Sequence, residues 1–237
     1  DYKKAFEWFE KAANEKEKNA QYMLGNMYYY GEGIEKNYKK AFEWYEKAAS
    51  QENGNAVTII SAHHGNVINQ YKLGNMYYLG KGIEKDYKKA FEWYEKVASQ
   101  GFADAQYNLG NMYYYGEGVE KDSKKAIEWY EKAANQGHIK AQLELGSLYS
   151  EKENTEKDYK KAIKWLEKVA NLEITLDDFV NGKFDELNTL KAVAQNNLGN
   201  LYYNGHGVKQ DKNKAKELYE KACQGAFIAC ENLKNFK

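Results

Sequence analysis

The sequence predicts an all-α chain arranged as a solenoid of helix pairs. Three observations predict it: a repeat with a basic period of 36 residues, helical spacing of the apolar positions in each copy, and no proline in 237 residues. Leu-Gly followed by Asn or Ser recurs at Leu24, Leu73, Leu109, Leu145 and Leu198, at intervals of 49, 36, 36 and 53. A second element, with an aromatic-rich run after Lys-Ala, places its alanine at Ala5, Ala41, Ala90, Ala126, Ala162 and Ala215. The long intervals exceed the period by 13 and 17 residues, which maps insertions to about 51–69 and 171–191. Because the rest of each unit keeps its spacing, these are excursions at one class of loop. The expected organisation is a single solenoid over 1–237: a half unit 1–18, repeats 19–50, 70–101, 102–137, 138–171 and 192–225, and a capping half unit 226–237.

Each unit reads as two helices. In the first, Ala20, Leu24, Met27 and Tyr28 share about 100° of arc, a face suited to burial. Gly25 flanks that face and returns as Gly74, Gly110, Gly146 and Gly199. Glycine inside a helix costs roughly 1 kcal/mol against alanine, so its return predicts close approach of the partner helix. The turn Gly31-Glu32-Gly33, echoed at Gly80 and Gly82, Gly116 and Gly118, and Gly205 and Gly207, predicts positive φ at the helix end. Ile34, Ile83, Val119 and Val208 then plug the gap between the two helices.

The second helix starts at an N-cap: Asp1, Asn37, Asp86, Asp122, Asp158 or Asp211. Its inner stripe is Ala41, Tyr45 and Ala48, with Trp44 and Ala49 at the margins. The opposite face is charged, and Glu7→Lys11, Glu43→Lys47, Glu92→Lys96, Glu128→Lys132 and Glu217→Lys221 are i,i+4 pairs in the favourable order.

Composition narrows the function classes. The 35 basic residues are all lysine and balance 35 acidic ones, so the chain lacks both a basic stripe for phosphates and the arginine fork. Nucleic acid is not an expected partner, and no apolar run is long enough for a transmembrane segment. Enzymatic constellations are not found. His63 and His64 are adjacent, point apart on a helix and lack a completing ligand, while His138 and His206 stand apart from them. Asp177, Asp178 and Asp185 lack the spacing of a calcium loop. Gly31-x-Gly33 follows a helix rather than a strand and is a turn, not a phosphate cradle. No catalytic residue, metal site or cofactor is expected.

The pattern Ala-x3-Leu-Gly-x-Met/Leu-Tyr-x2-Gly-x-Gly-Val/Ile, followed by Asp and Lys-Ala-x2-Trp-Tyr-x-Lys-Ala-Ala, resembles the Sel1-like repeat, a relative of the tetratricopeptide repeats. Its clearest copy runs from Ala105 through Leu109, Gly110, Tyr113, Gly116, Gly118, Val119, Asp122, Ala126, Trp129 and Tyr130 to Ala133. In the fifth copy Ser150 to Asn154 replace the double-glycine turn without changing its length, and a helix pair with a different turn is expected there. The resemblance implies an α/α superhelical solenoid whose first helices line a concave side. The C-terminus, Lys221-Ala222-Cys223 and Ala229-Cys230, is similar to the bacterial cysteine-rich Sel1-like proteins. That likeness implies a disulfide between Cys223 and Cys230, two buried thiols being the alternative. A bridge would place the chain in an oxidising compartment, periplasmic or secreted rather than cytoplasmic. The chain opens on a second helix, so it is expected to be a fragment whose N-terminal region, with any signal peptide, lies upstream.

The face opposite Leu24 and Met27 is centred on Tyr22, Asn26 and Tyr29, repeated as Tyr71, Asn75 and Tyr78, then Tyr107, Asn111 and Tyr114. The sixth copy keeps Asn200 and Tyr203, and Tyr30, Leu79 and Tyr115 stand at the edge. Tyrosine offers contact area at low entropic cost plus a hydroxyl, and asparagine both a donor and an acceptor. The expectation is a non-catalytic scaffold that holds a peptide or partner protein along this ladder. The alternative is a cell-envelope receptor for a glycan or other small ligand. The insertions either add partner contacts through Val57, Thr58, Ile59, Ile60, Phe179 and Val180 or extend helices that pack on the stack.

Overall fold

The computed structural model describes residues 1–50, 59–151, 155–225 and 230–234, and these form helices and turns with no strand among them. The Cα packing resolves into two compact units, Asp1–Trp129 and Tyr130–Lys237. In the first, α1 (Tyr2–Asn14) packs on α2 (Lys18–Tyr30), and α2 on α3 (Tyr38–Ser50). The chain of contacts continues through α4 (Ile59–Leu79) and α5 (Tyr87–Ala98) to α6 (Ala103–Tyr115). Helix α7 (Ser123–Asn135) carries the boundary between the units. The second unit contains α8 (Ile139–Leu148), α9 (Glu156–Ala170), α10 (Leu176–Val180), α11 (Phe184–Asn204), α12 (Lys212–Gly225) and α13 (Cys230–Lys234). There α9 packs on α8 and α11, and α12 on α11 and α13.

The faces read from helical spacing are the core. Leu24, Leu73, Leu109, Leu145, Ala41, Ala90, Ala126, Ala162 and Ala215 are fully buried. Tyr28 is half-buried, edge-on to Phe6 of α1 at 5.7 Å. The helical glycines seat the second-helix tyrosine. A Cβ on Gly25, Gly74 or Gly199 would fall 2.5, 2.7 or 2.6 Å from the ring of Tyr45, Tyr94 or Tyr219. In the fifth repeat Leu166 takes the tyrosine's place against Gly146.

Both glycines of each turn have positive φ, 79° and 75° at Gly31 and Gly33. The first closes the helix in the left-handed conformation. The second does more than turn the chain: a Cβ on Gly118 would stand 2.5 Å from the carbonyl carbon of Tyr87, at the start of the preceding second helix. It is a contact between successive repeats.

Asp1, Asn37, Asp86, Asp122 and Asp211 cap their helices, each accepting from a main-chain N–H two or three residues on. Asp158 does not. Here the helix starts earlier: Thr155 is the N-cap, and Asp158 occupies the third helical position of a capping box, returning a bond to the Thr155 N–H. The replacement turn at 152–154 lies outside the described residues.

Both insertions run into helix. Helices α4 and α11 each span 21 residues, where the uninserted first helices α2 and α6 span 13 and α8 spans 10. Val57 and Thr58 lie outside the described residues; Phe179 and Val180, on α10, are exposed. A second box, Thr175 with Asp178, caps α10 and accounts for one aspartate of the rejected calcium loop.

The charged face departs from the expected pairing. Lys47 and Lys96 stack their ammonium groups over Trp44 and Trp93, 4.2 and 5.6 Å from the ring centroids. In the sixth repeat Leu218 replaces the tryptophan, and there Lys221 pairs with Glu217 at 2.6 Å. A lysine stem gains more by covering an indole than by holding an exposed carboxylate.

Candidate functional site

The tyrosines and asparagines of the first helices come together around a residue absent from the sequence-derived ladder, the buried tyrosine of the second helix. The Tyr45 hydroxyl donates to Asn26 Oδ1 at 2.8 Å, Tyr94 to Asn75 at 2.6 Å, and Tyr219 to Asn200 at 2.7 Å. Rings from the same helix flank it. Tyr22 and Tyr29 lie 6.0 and 6.4 Å from Tyr45, and Tyr71 and Tyr78 lie 5.8 and 6.3 Å from Tyr94. Burial pushes the phenols of Tyr45 and Tyr94 well above the ordinary tyrosine value and that of Tyr219 up to about 12, so all three remain neutral donors. The asparagines therefore hold a structural hydrogen bond, and at Asn26 and Asn200 the same oxygen also accepts from Lys72 and Asn232, so among the described residues it is Asn75 whose oxygen keeps a second lone pair for a ligand to meet.

Tyr107, Asn111 and Tyr114 are half-buried on α6, with Tyr114 edge-on to Tyr115 at 5.0 Å and Lys121 over its ring. Tyr203 is half-buried on α11 beneath Lys212. Tyr30, Leu79 and Tyr115 are exposed. Cys223 and Cys230 are joined by a disulfide with Cα atoms 4.5 Å apart, tying α12 to α13.

One position went unnoticed in the sequence: the residue just before the repeat leucine. It reaches back to the preceding repeat. Lys72 donates to Asn26 Oδ1, Asn108 to the Tyr71 hydroxyl at 3.1 Å, Asn197 to Ser147 Oγ at 3.3 Å, and Asn232 to Asn196 at 2.8 Å. Its signal was variation, since Met, Lys, Asn and Glu all occur there beside a constant leucine. Burial holds the Lys72 ammonium below the ordinary lysine value, while a hydrogen bond from Lys81 to the Tyr29 hydroxyl raises Lys81. The other unnoticed residue is glutamine. Gln21, Gln106, Gln142 and Gln195 are buried and donate through Nε2 to the carbonyls of Ala13, Ala98, Ala134 and Ala170, at the end of the preceding second helix.

A cavity of about 340 Å³ lies between the second and third first helices, lined by Tyr71, Asn75, Tyr78, Tyr94, Asn108 and Asn111 among others. No group of three His, Cys, Asp or Glu among the described residues is placed to hold a metal. His138 Nδ1 accepts from the Ala141 N–H, and His206 stacks on Tyr159 at 4.6 Å. No helix among the described residues is long and apolar enough to cross a membrane.

The profile of the Sel1 repeat matches residues 1–16, 18–53, 70–102, 103–138, 139–173 and 192–226. Among solved structures, a Sel1 repeat protein from Oxalobacter formigenes is 26% identical with a TM-score of 0.69, over 94% of this chain and 82% of that one. A protective antigen of uropathogenic Escherichia coli displaying an SLR fold is 29% identical with a TM-score of 0.62, over 96% of this chain and 50% of that one. Comparison with curated protein sequences gives no match. Six profile matches, five over helix pairs and one over α1 alone, together with two solved relatives of the same architecture, place the chain in the Sel1 repeat family and its all-α solenoid fold.

Proposed function

We propose that this chain is a non-catalytic scaffold that grips a peptide or partner protein along the tyrosine and asparagine face of its first helices. Sel1 repeat proteins generally mediate protein–protein interaction, and the family is generally a non-catalytic scaffold fold. The observation that supports the reading for these residues is the recess on Tyr71, Asn75, Tyr78 and Tyr94. It offers aromatic rings and amide groups held rigidly by the Tyr94–Asn75 bond. Rigid aromatic surface with fixed polar groups binds at small entropic cost.

The test replaces Tyr78, Asn111 and Tyr114 together by alanine and compares capture of partners by the two chains, quantified by mass spectrometry. Circular dichroism checks that the variant keeps its helices. Loss of specific partners supports the reading. Unchanged capture by a folded variant refutes it.

A further inference from the structure

Two homologous recesses lie one repeat apart within Asp1–Trp129, and the first has an occupant. The Lys72 ammonium sits among four rings, 5.0 Å from the centroid of Tyr22, 6.0 Å from Tyr29, 5.3 Å from Tyr30 and 5.1 Å from Tyr45. It donates to Asn26 Oδ1, which also accepts from the Tyr45 hydroxyl. A second lysine, Lys81, bonds the Tyr29 hydroxyl at 3.1 Å. The chain thus shows what this kind of recess takes: an alkylammonium over tyrosine faces, anchored on an asparagine carbonyl.

In the next repeat three of the four rings and the asparagine are kept, Leu79 stands in place of Tyr30, and the occupant is gone. Tyr71, Tyr78, Tyr94 and Asn75 stand where Tyr22, Tyr29, Tyr45 and Asn26 stood, with the Tyr94–Asn75 bond reproduced at 2.6 Å. Lys72 is replaced by Asn108, whose amide donates to the Tyr71 hydroxyl. Lys81 is replaced by Glu117, whose carboxylate accepts from the Tyr78 hydroxyl at 2.7 Å. Two cations have become an amide and an anion, beside the cavity of about 340 Å³. The neighbouring Lys85, over Tyr87, does not distinguish the sites, since Lys36 lies over Tyr38 in the filled one.

We infer that the Tyr71–Tyr78–Tyr94 recess binds a lysine side chain of the partner polypeptide, its ammonium seated on the tyrosine faces, anchored on Asn75 Oδ1 and balanced by Glu117. The inference rests on the reading of the first-helix face as the partner surface and names what that surface takes. A primary ammonium fits better than a quaternary one, because Asn75 Oδ1 and Glu117 are acceptors that only an N–H can use.

The full chain is titrated with three capped tripeptides, acetyl-Gly-Lys-Gly-amide and its norleucine and trimethyl-lysine counterparts, following the tyrosine ring resonances by NMR. Saturable shifts at Tyr71, Tyr78 and Tyr94 are expected for lysine, with affinity about tenfold above norleucine. Asn108→Lys, which supplies an internal occupant, abolishes the binding, and Glu117→Gln weakens it. Equal affinity for norleucine, tighter binding of trimethyl-lysine, or no saturable shift overturns the inference, and the wild-type titration decides this even if a variant fails to fold. Full lysine-peptide affinity in a folded Asn108→Lys chain also overturns it. Partner capture lost with the alanine triple variant but kept with Asn108→Lys removes the lysine seat and leaves the surface; capture kept with both removes both.

Discussion

The Tyr94 hydroxyl donates to Asn75 Oδ1 at 2.6 Å, joining the second helix of one repeat to its first helix at the floor of the proposed binding face. The bond joins fold and site. Tyr94 is 1% exposed, so its hydroxyl relies on Asn75 as its partner. Tyr94→Phe removes the donor cleanly and is expected to cost about 1 kcal/mol. Asn75→Ala leaves a buried hydroxyl unsatisfied and is expected to cost more, about 2–3 kcal/mol. The double variant recovers part of the difference. Urea unfolding of the four chains gives the coupling energy, and additivity of the two single effects would show that the bond carries none.

The same buried phenols set an alkaline limit. Burial raises Tyr45 and Tyr94 far above the ordinary value of 10.0. A group whose folded pKa is raised contributes stability that is complete below the unfolded pKa and is lost as pH climbs toward the folded one. Unfolding free energy is therefore expected to be flat through neutrality and to decline above pH 10, with ionisation of the last tyrosines coinciding with loss of helix. Tyr94→Phe should make that decline shallower. Absorbance of phenolate and circular dichroism recorded on one alkaline titration check this.

Spacing made the helix pairs, the buried faces, the capping aspartates and the glycine turns legible, because each follows from local geometry. Asp158 was misjudged because a capping box beginning at Thr155 competes with it, and that signature was present in the sequence. The lysine–tryptophan stacks were not legible, since i,i+3 and i,i+4 partners compete for one ammonium and only packing decides. Nor was the partnership of Asn26 or Asn75. Each lies 19 residues from its tyrosine, across a turn, and no periodicity assigns a hydrogen bond between faces. Lys72 was hidden for a related reason: its ammonium works in the repeat before its own.

Asn69 is the misfit in the core. It is 1% exposed in a slot that holds Ala20, Ala105, Ala141 and Ala194 in other repeats, and neither side-chain polar atom has a hydrogen-bond partner among the described residues. A buried amide without partners is destabilising by about 1–3 kcal/mol. Asn69→Ala restores the residue that the slot was built around and is expected to raise stability by about 1–2 kcal/mol. Thermal and urea unfolding measure it; a fall in stability would mean that the amide is satisfied in solution.

The two glycines of one turn are expected to respond unequally. Gly116 and Gly118 have φ of 78° and 72°, so alanine at either pays the left-handed strain of about 1–2 kcal/mol. At Gly116 the nearest obstacle to a Cβ is the Lys121 Cβ at 3.3 Å, which need give by only a few tenths of an ångström. At Gly118 the obstacle is the Tyr87 backbone, whose carbonyl carbon is 2.5 Å away and which is fixed by the first turn of α5. Gly118→Ala must separate two repeats, whereas Gly116→Ala strains only one turn. Gly118→Ala is therefore expected to cost at least about 1 kcal/mol more and to raise hydrogen exchange along α5 as well as in the turn. Equal costs with exchange confined to the turn would show that the second glycine is needed for its dihedral alone.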